Sequence, residues 1–313
     1  MGAINPIALT SKIDIIVCLA CKIESLSGCF FTGRVVLIDT HCHLDAAEFA
    51  DDRQQVIARA AHAGVQVIVI PAVERGNFSV VRDLAHSFRG GAYALGIHPM
   101  CVPQAGDSDL TVLEDLVRDA LADSRLVAIG EIGLDFFVPE LTSVPMRAKQ
   151  ELFYSAQLDL AQRYELPVLL HVRRSQDTIL KHLRRRPRIG GIAHAFNGSF
   201  QQAKQFIALG FALGMGGAMT FTRALQIRRL AAQVPLESLV LETDAPDIAP
   251  AWLGSPGSAG TAGKSGLMRP RNEPSEVARI GEVLAELRGL SYEALLGATS
   301  ENARRVLPRL MGV

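Results

Sequence analysis

Two histidines two residues apart mark the stretch of this chain best suited to chemistry, Ile38-Asp39-Thr40-His41-Cys42-His43-Leu44-Asp45. On an extended backbone, side chains at i and i+2 project to the same side, so both imidazoles can converge on one metal ion. Taken alone, the pair also reads as two loop histidines with solvated or hydrogen-bonded rings. Four further candidates lie far along the chain: Glu131 in Gly130-Glu131-Ile132-Gly133-Leu134-Asp135, His171, His194, and Asp244 just after Glu242-Thr243. Singly, Glu131 and Asp244 could cap a following helix or turn, and each histidine could be a hydrogen-bonded core residue. Together at the mouth of an apolar fold, a carboxyl group and several histidines would be costly unpaired, and a metal ion supplies the partner.

Such residues act together only if the fold assembles them. From Val35 onward, short apolar or β-branched runs alternate with amphipathic stretches of helical length, the βαβα pattern of a parallel sheet. The runs predict eight strands: Val35–Thr40, Val65–Pro71, Gly91–Ile97, Leu126–Glu131, Pro167–His171, Gly190–His194, Phe211–Met215 and Ser238–Glu242. Between them, Lys149–Tyr164 repeats Leu152, Phe153, Ala156, Leu160, Ala161 and Tyr164 at helical spacing. Ser199–Leu209 opens on a capping serine and closes before Gly210. Eight strands each followed by a helix is what an α/β fold of the (β/α)8 TIM-barrel type uses, although a doubly wound open sheet uses similar elements. In a parallel barrel all strand carboxyl ends face one side, and each candidate stands at such an end.

Two segments fall outside the repeat. Ala249–Asn272, rich in Gly, Pro, Ser and Ala, is expected to form a long loop roofing the carboxyl face. Residues 1–34 are expected to be a leader, either disordered or the product of an extended start-site assignment, ahead of a single domain at 35–313. The run Ile15–Cys21 is too short to span a bilayer and is a poor signal peptide, so no membrane association is expected. Five cysteines, three of them Cys18, Cys21 and Cys29, form no disulfide framework and point to the reducing cytoplasm. With 32 basic and 32 acidic residues the net charge is zero, so any phosphate-binding surface must be local.

The motifs also carry a resemblance. The His-x-His start, Gly130–Asp135, Leu170-His171-Val172-Arg173, His194-Ala195-Phe196-Asn197-Gly198-Ser199, Glu242-Thr243-Asp244-Ala245-Pro246 and Arg271-Asn272-Glu273-Pro274 occur in the order of the TatD family of metal-dependent hydrolases and deoxyribonucleases. The chain resembles the YjjV branch of that family over about Leu37 to Pro308. The resemblance implies one barrel, two divalent cations (Mg²⁺, Mn²⁺ or Zn²⁺) and hydrolysis of phosphodiester bonds, as a DNA exonuclease acting on single-stranded ends. By motif, His41, His43, Glu131 and Asp244 would hold one cation, and Glu131 would bridge to a second held by His171 and His194. A carboxylate has two oxygens and can span two cations, which an imidazole cannot. Glu131 and Asp244 are thus the catalytic candidates, Asp244 orienting or deprotonating the attacking water. Asn197 stands where many relatives carry Ser or Thr, and no lysine ends the fourth strand.

For substrate, His98 ends the third strand, and Arg173 lies two residues past His171 with a guanidinium suited to phosphate. Asn272 and Glu273 would position groups around the site or cap the helix before Pro274. Phe136, Phe137, Phe196 and Trp252 fall in loops near the mouth, to stack on bases or to pack. The basic run Lys181–Arg188 reads as a solvated helix end on the opposite side of the barrel. DNA or another phosphodiester is the expected partner. Metal-binding motifs do not encode the leaving group, so hydrolysis of another ester or an amide, including an aminoacyl-tRNA ester, is the competing enzymatic reading. A metal-stabilised scaffold without activity is the third.

Overall fold

Eight runs rich in Val, Ile, Leu and Ala form parallel strands: β1 Leu37–Asp39, β2 Val65–Pro71, β3 Gly91–Leu95, β4 Leu126–Asp135, β5 Val168–Arg173, β6 Gly191–Ala193, β7 Phe211–Met215 and β8 Leu239–Leu241. The computed structural model describes residues 1–2, 36–254 and 270–313. The leader expectation therefore falls outside the described residues, as does the middle of the Ala249–Asn272 loop. Neighbouring strands pair in chain order from β1 to β8. The seam between last and first is also bonded. Thr40 N–H and Oγ1 both donate to Leu241 O (3.1 and 2.9 Å), Asp244 N–H to His41 O (2.8 Å), and His43 N–H to Ala245 O (2.8 Å). Sequential order with a joined seam makes the sheet a (β/α)8 barrel and rules out the open doubly wound alternative.

Helices α1 Arg53–His62, α2 Phe78–His86, α3 Asp107–Asp119, α4 Val144–Arg163, α5 Gln176–Leu183, α6 Phe200–Ala208 and α7 Leu225–Gln233 lie between the strands. α8 Val277–Arg288 and α9 Tyr292–Val306 follow β8. Both faces of the strands are buried, which is why they read as near-continuous apolar runs. Val67, Val69, Ala92, Ala94 and Ile192 belong to the barrel interior, which Val306, Leu307 and Leu310 plug from below. The alternate residues Ile68, Ile70, Tyr93 and Leu95 pack outward against the helices. Among the described residues no helix is long and apolar enough to cross a membrane.

β2 and β7 have the expected bounds. β4 runs four residues beyond Glu131, because a register shift between Ile129 and Ile132 lets it keep pairing with β5 as far as Asp135 opposite Arg173. α4 begins at Val144 rather than Lys149, after Ser143 and with Pro145 in its first turn. Leu152, expected on its buried face, is 55% exposed. Two glutamines lie on the buried side instead: Gln150 and Gln157, two turns apart. α6 has the expected start, with Ser199 Oγ accepting from Gln202 N–H (3.1 Å) and Gln202 Oε1 from Ser199 N–H (2.9 Å).

Candidate metal centre

Glu131 is the hub of the carboxyl face. Neighbouring strands pack closely against its backbone, leaving room only for glycine beside it. A Cβ on Gly130 would come within 2.6 Å of Leu169 Cβ, and one on Gly96 within 2.7 Å of Gly130 C. Its two oxygens face different groups. Oε2 lies 3.1 Å from His41 Nε2 and 3.3 Å from His43 Nε2, while Asp244 Oδ1 is 3.6 and 3.7 Å from the same two nitrogens. Oε1 lies 2.9 Å from His194 Nε2, 3.0 Å from His171 Nδ1 and 3.2 Å from His98 Nε2. Ring nitrogens are also close to one another, 3.3 Å between His41 and His43 and 3.5 Å between His171 and His194.

Ring nitrogens and carboxylate oxygens converging in this way are satisfied by shared protons or by a cation between them. Among the described residues, three overlapping sets of donor atoms, each within 4.8 Å, could hold one: His41–His43–Asp244, His41–Glu131–His194 and His98–Glu131–His171. Imidazole and carboxylate donors of this kind suit Zn²⁺ and Mn²⁺. The residues present therefore fit a divalent-metal centre.

The seam fixes one side of this cluster. Buried Asp39 accepts from Thr243 N–H (2.9 Å), Thr243 Oγ1 (2.6 Å) and His41 N–H (3.3 Å), holding β1 and β8 in register so that His41 and Asp244 meet. Asp244 sits at φ +56°, a left-handed conformation that Asp tolerates better than most residues and that turns its side chain toward the histidines. Burial pushes the His41 and His98 rings down, to about 3 and 4, favouring the neutral form that can bind a metal ion. Burial acts against protonation of His194 too, but the Glu131 and Asp244 charges raise it to about 10. Burial works to raise the Glu131 carboxyl, but the surrounding imidazoles together hold it well below the usual carboxylate range.

The structure brings His41, His43, Glu131, His171, His194 and Asp244 into one cluster, and His98, expected at the substrate, joins them through Glu131 Oε1. Arg173 stands at the rim, half exposed, with its NH1 3.8 Å from Asp135 Oδ2. Asn272 and Glu273 are not brought to the cluster. The buried Asn272 amide donates to Thr243 O and Asp247 O (both 2.9 Å), and Glu273 pairs with Arg59 and Arg271. Asn272 thus secures the loop that carries Asp244, and Glu273 ties its own segment to α1 through Arg59.

Residues 38–308 match the family described as TatD related DNase. The chain belongs to the TatD family. Among its TatD relatives is the Escherichia coli K12 protein named "Uncharacterized metal-dependent hydrolase YjjV". It is 41% identical over 253 residues, covering 80% of this chain and 90% of that protein. The crystal structure of YjjV superimposes with a TM-score of 0.77 at 38% identity, covering 88% of this chain and 99% of that one. Human "Deoxyribonuclease TATDN3" is 29% identical over 282 residues, covering 88% of this chain and 96% of its own length.

Around this TatD centre lie supports that the sequence reading did not single out. Asp135 Oδ2 takes His171 Nε2 (3.1 Å), which aims Nδ1 at Glu131, and its Oδ1 accepts from Phe137 and Val138 N–H (2.7 and 2.9 Å). Burial raises the Asp135 carboxyl, but these bonds more than offset it and bring it down to about 2. From α4, Gln157 bonds both Ile97 N–H and Ile97 O (2.6 and 3.1 Å), and Gln150 Oε1 accepts from Asp135 N–H (2.8 Å). The basic run lies on the far side of the barrel with Lys181, Arg184, Arg185 and Arg188 exposed. Arg186 bonds Asp159 and Ser155, and buried His182 meets Glu151 at 3.1 Å.

Proposed function

We propose that this chain is a divalent-metal-dependent phosphodiesterase that removes nucleotides from single-stranded DNA ends. The observation that carries the reading is the division of Glu131, whose two oxygens face separate histidine groups. On it, His41, His43 and Asp244 with Oε2 would hold one cation, and His171 and His194 with Oε1, joined by His98, a second. When bound, such cations acidify water toward neutral pH and neutralise the charge that develops on a phosphate under attack. Asp244, the most accessible carboxylate of the cluster, accepts the proton of the attacking water. Arg173 at the rim grips a phosphate oxygen through its planar guanidinium. Asp39, Asp135 and Asn272 keep the ligands aimed and take no part in proton transfer. The deoxyribonuclease name of the human relative supports DNA as the substrate.

The test is a panel of 3′-labelled single-stranded DNA, mischarged tRNA and model esters with Mg²⁺, Mn²⁺ or Zn²⁺, alongside elemental analysis of protein purified without chelator. Shortening of DNA with two cations per chain is expected. Ester turnover without DNA shortening overturns the substrate. A folded Glu131→Gln variant is expected to lose turnover and cation content together, and unchanged turnover in it overturns the two-cation arrangement.

A further inference from the structure

Four aromatic side chains were candidates for base stacking, and the structure separates them. Phe196 is buried against Phe206, Trp252 donates to Glu276 with Arg279 over its ring, and Arg147 lies over Phe136. Phe137 is 41% exposed. It carries two guanidiniums, Arg173 with Cζ 3.9 Å from the ring centroid and Arg174 with Cζ 4.6 Å.

Two guanidiniums on one ring bring like charges together, a repulsion that an anion between them would relieve. The carboxylate nearest Arg173, Asp135 at 3.8 Å, already accepts from His171, Phe137 N–H and Val138 N–H. Arg174 has no ion pair or hydrogen bond among the described residues. It nevertheless adopts φ +55°, a conformation glycine would take freely. The position is fixed relative to the metal centre. His171 and Arg173 alternate on β5 and so share a side, Asp135 pairs with Arg173 in register, and the same Asp135 holds both His171 and the backbone of Phe137.

We infer that Phe137, Arg173 and Arg174 form a nucleotide-recognition subsite, in which an unpaired base adds a layer to the ring–guanidinium stack and the guanidiniums hold its flanking phosphates. The inference rests on the phosphodiesterase reading and adds to it how nucleic acid is told from a small phosphoester. Bases stack on aromatic rings and on arginine planes alike. A ring whose backbone is already fixed gives up little freedom on binding.

The experiment measures anisotropy of two fluorescein-labelled, hydrolysis-resistant phosphorothioate strands added to the full-length, metal-loaded protein. One is hexathymidylate and the other a base-free strand of equal length. The unaltered protein is expected to prefer hexathymidylate. Phe137→Ala is expected to weaken that strand by about 5- to 150-fold, the range found for losing one base–aromatic stack, and so to remove the preference. Phe137→Trp restores it, and Phe137→Leu, which keeps apolar bulk without a flat ring, behaves as the alanine variant. Arg174→Gln weakens both strands and lowers the slope of log affinity against log salt by about 0.7, as for one phosphate contact. Equal binding of both strands by the unaltered protein, or equal weakening of both in Phe137→Ala, overturns the subsite and leaves the DNA reading standing. Binding of neither strand overturns both.

Discussion

Single residues at the centre divide into those whose chemistry their type and spacing announce and those whose role depends on distance. His41 and His43 belong to the first kind, since their i, i+2 spacing already shares a side. Asp135 belongs to the second. Its place four residues past Glu131 matters only because β4 continues to it, and the bulge that allows this has no composition signal. His98 stood at a predicted strand end, yet only its 3.2 Å approach to Glu131 shows that it shares Oε1 with His171 and His194. Asp135→Asn tests the supporting role. An amide can still accept from Phe137 and Val138 N–H but cannot reproduce the carboxylate's hold on His171. Removing a carboxylate behind a metal-ligating histidine costs about 10- to 100-fold in metal affinity or activity. The expected outcome is that loss in kcat/KM and in retained cation by elemental analysis, with an unchanged circular dichroism spectrum.

At the scale of elements, the strands were the most legible part because a parallel sheet covered on both faces must be written in apolar residues. The helices were less so. α4 shows why: its inward side includes Gln150 and Gln157, polar residues that interrupt the apolar period and conceal the face they occupy. Each satisfies backbone groups at the end of a strand, Gln157 at Ile97 beside His98 and Gln150 at Asp135. α4 is thereby a brace for two of the strand ends that carry the site. Gln157→Leu keeps the volume but leaves Ile97 N–H and C=O buried without partners. It should destabilise the protein by about 2–6 kcal/mol in urea unfolding, at about one to three per orphaned group. Equal stability of the two proteins would mean that the brace is unnecessary.

The whole molecule separates function from support along the barrel axis, with chemistry at the carboxyl ends of the strands and stability at the other end. There, Asp123 accepts from Tyr93 Oη and His86 Nε2 (both 2.8 Å) and from Arg125 N–H (3.0 Å), and its own carbonyl accepts from Arg309 (2.6 Å). Burial opposes ionisation of Asp123, but these donors hold its carboxyl below the ordinary value. A carboxylate depressed in the folded state contributes stability above its unfolded value, near 4, and loses that contribution as pH falls through the lower folded value. Asp123→Asn should therefore be less stable than the unaltered protein at pH 7, by about 1–3 kcal/mol. The gap should narrow in denaturation midpoints measured below pH 4, and a gap independent of pH would assign the effect to packing. Neutral composition gave no hint of the proposed phosphate substrate, because on that proposal the positive charge comes from cations and from two rim arginines rather than from the chain as a whole.

The seam between β1 and β8 also bears on synthesis. Its bonds join residues 201 apart in the chain, Thr40 to Leu241, and the proposed site draws His41 and His43 from one edge and Asp244 from the other. A nascent chain still short of β8 has both histidines but lacks the edge they close against, and ring closure is among the last long-range contacts a chain emerging from its N-terminus can make. On the proposed function, assembly of the site thus coincides with closure of the barrel, and a chain that stops short of β8 lacks the Asp244 side of it.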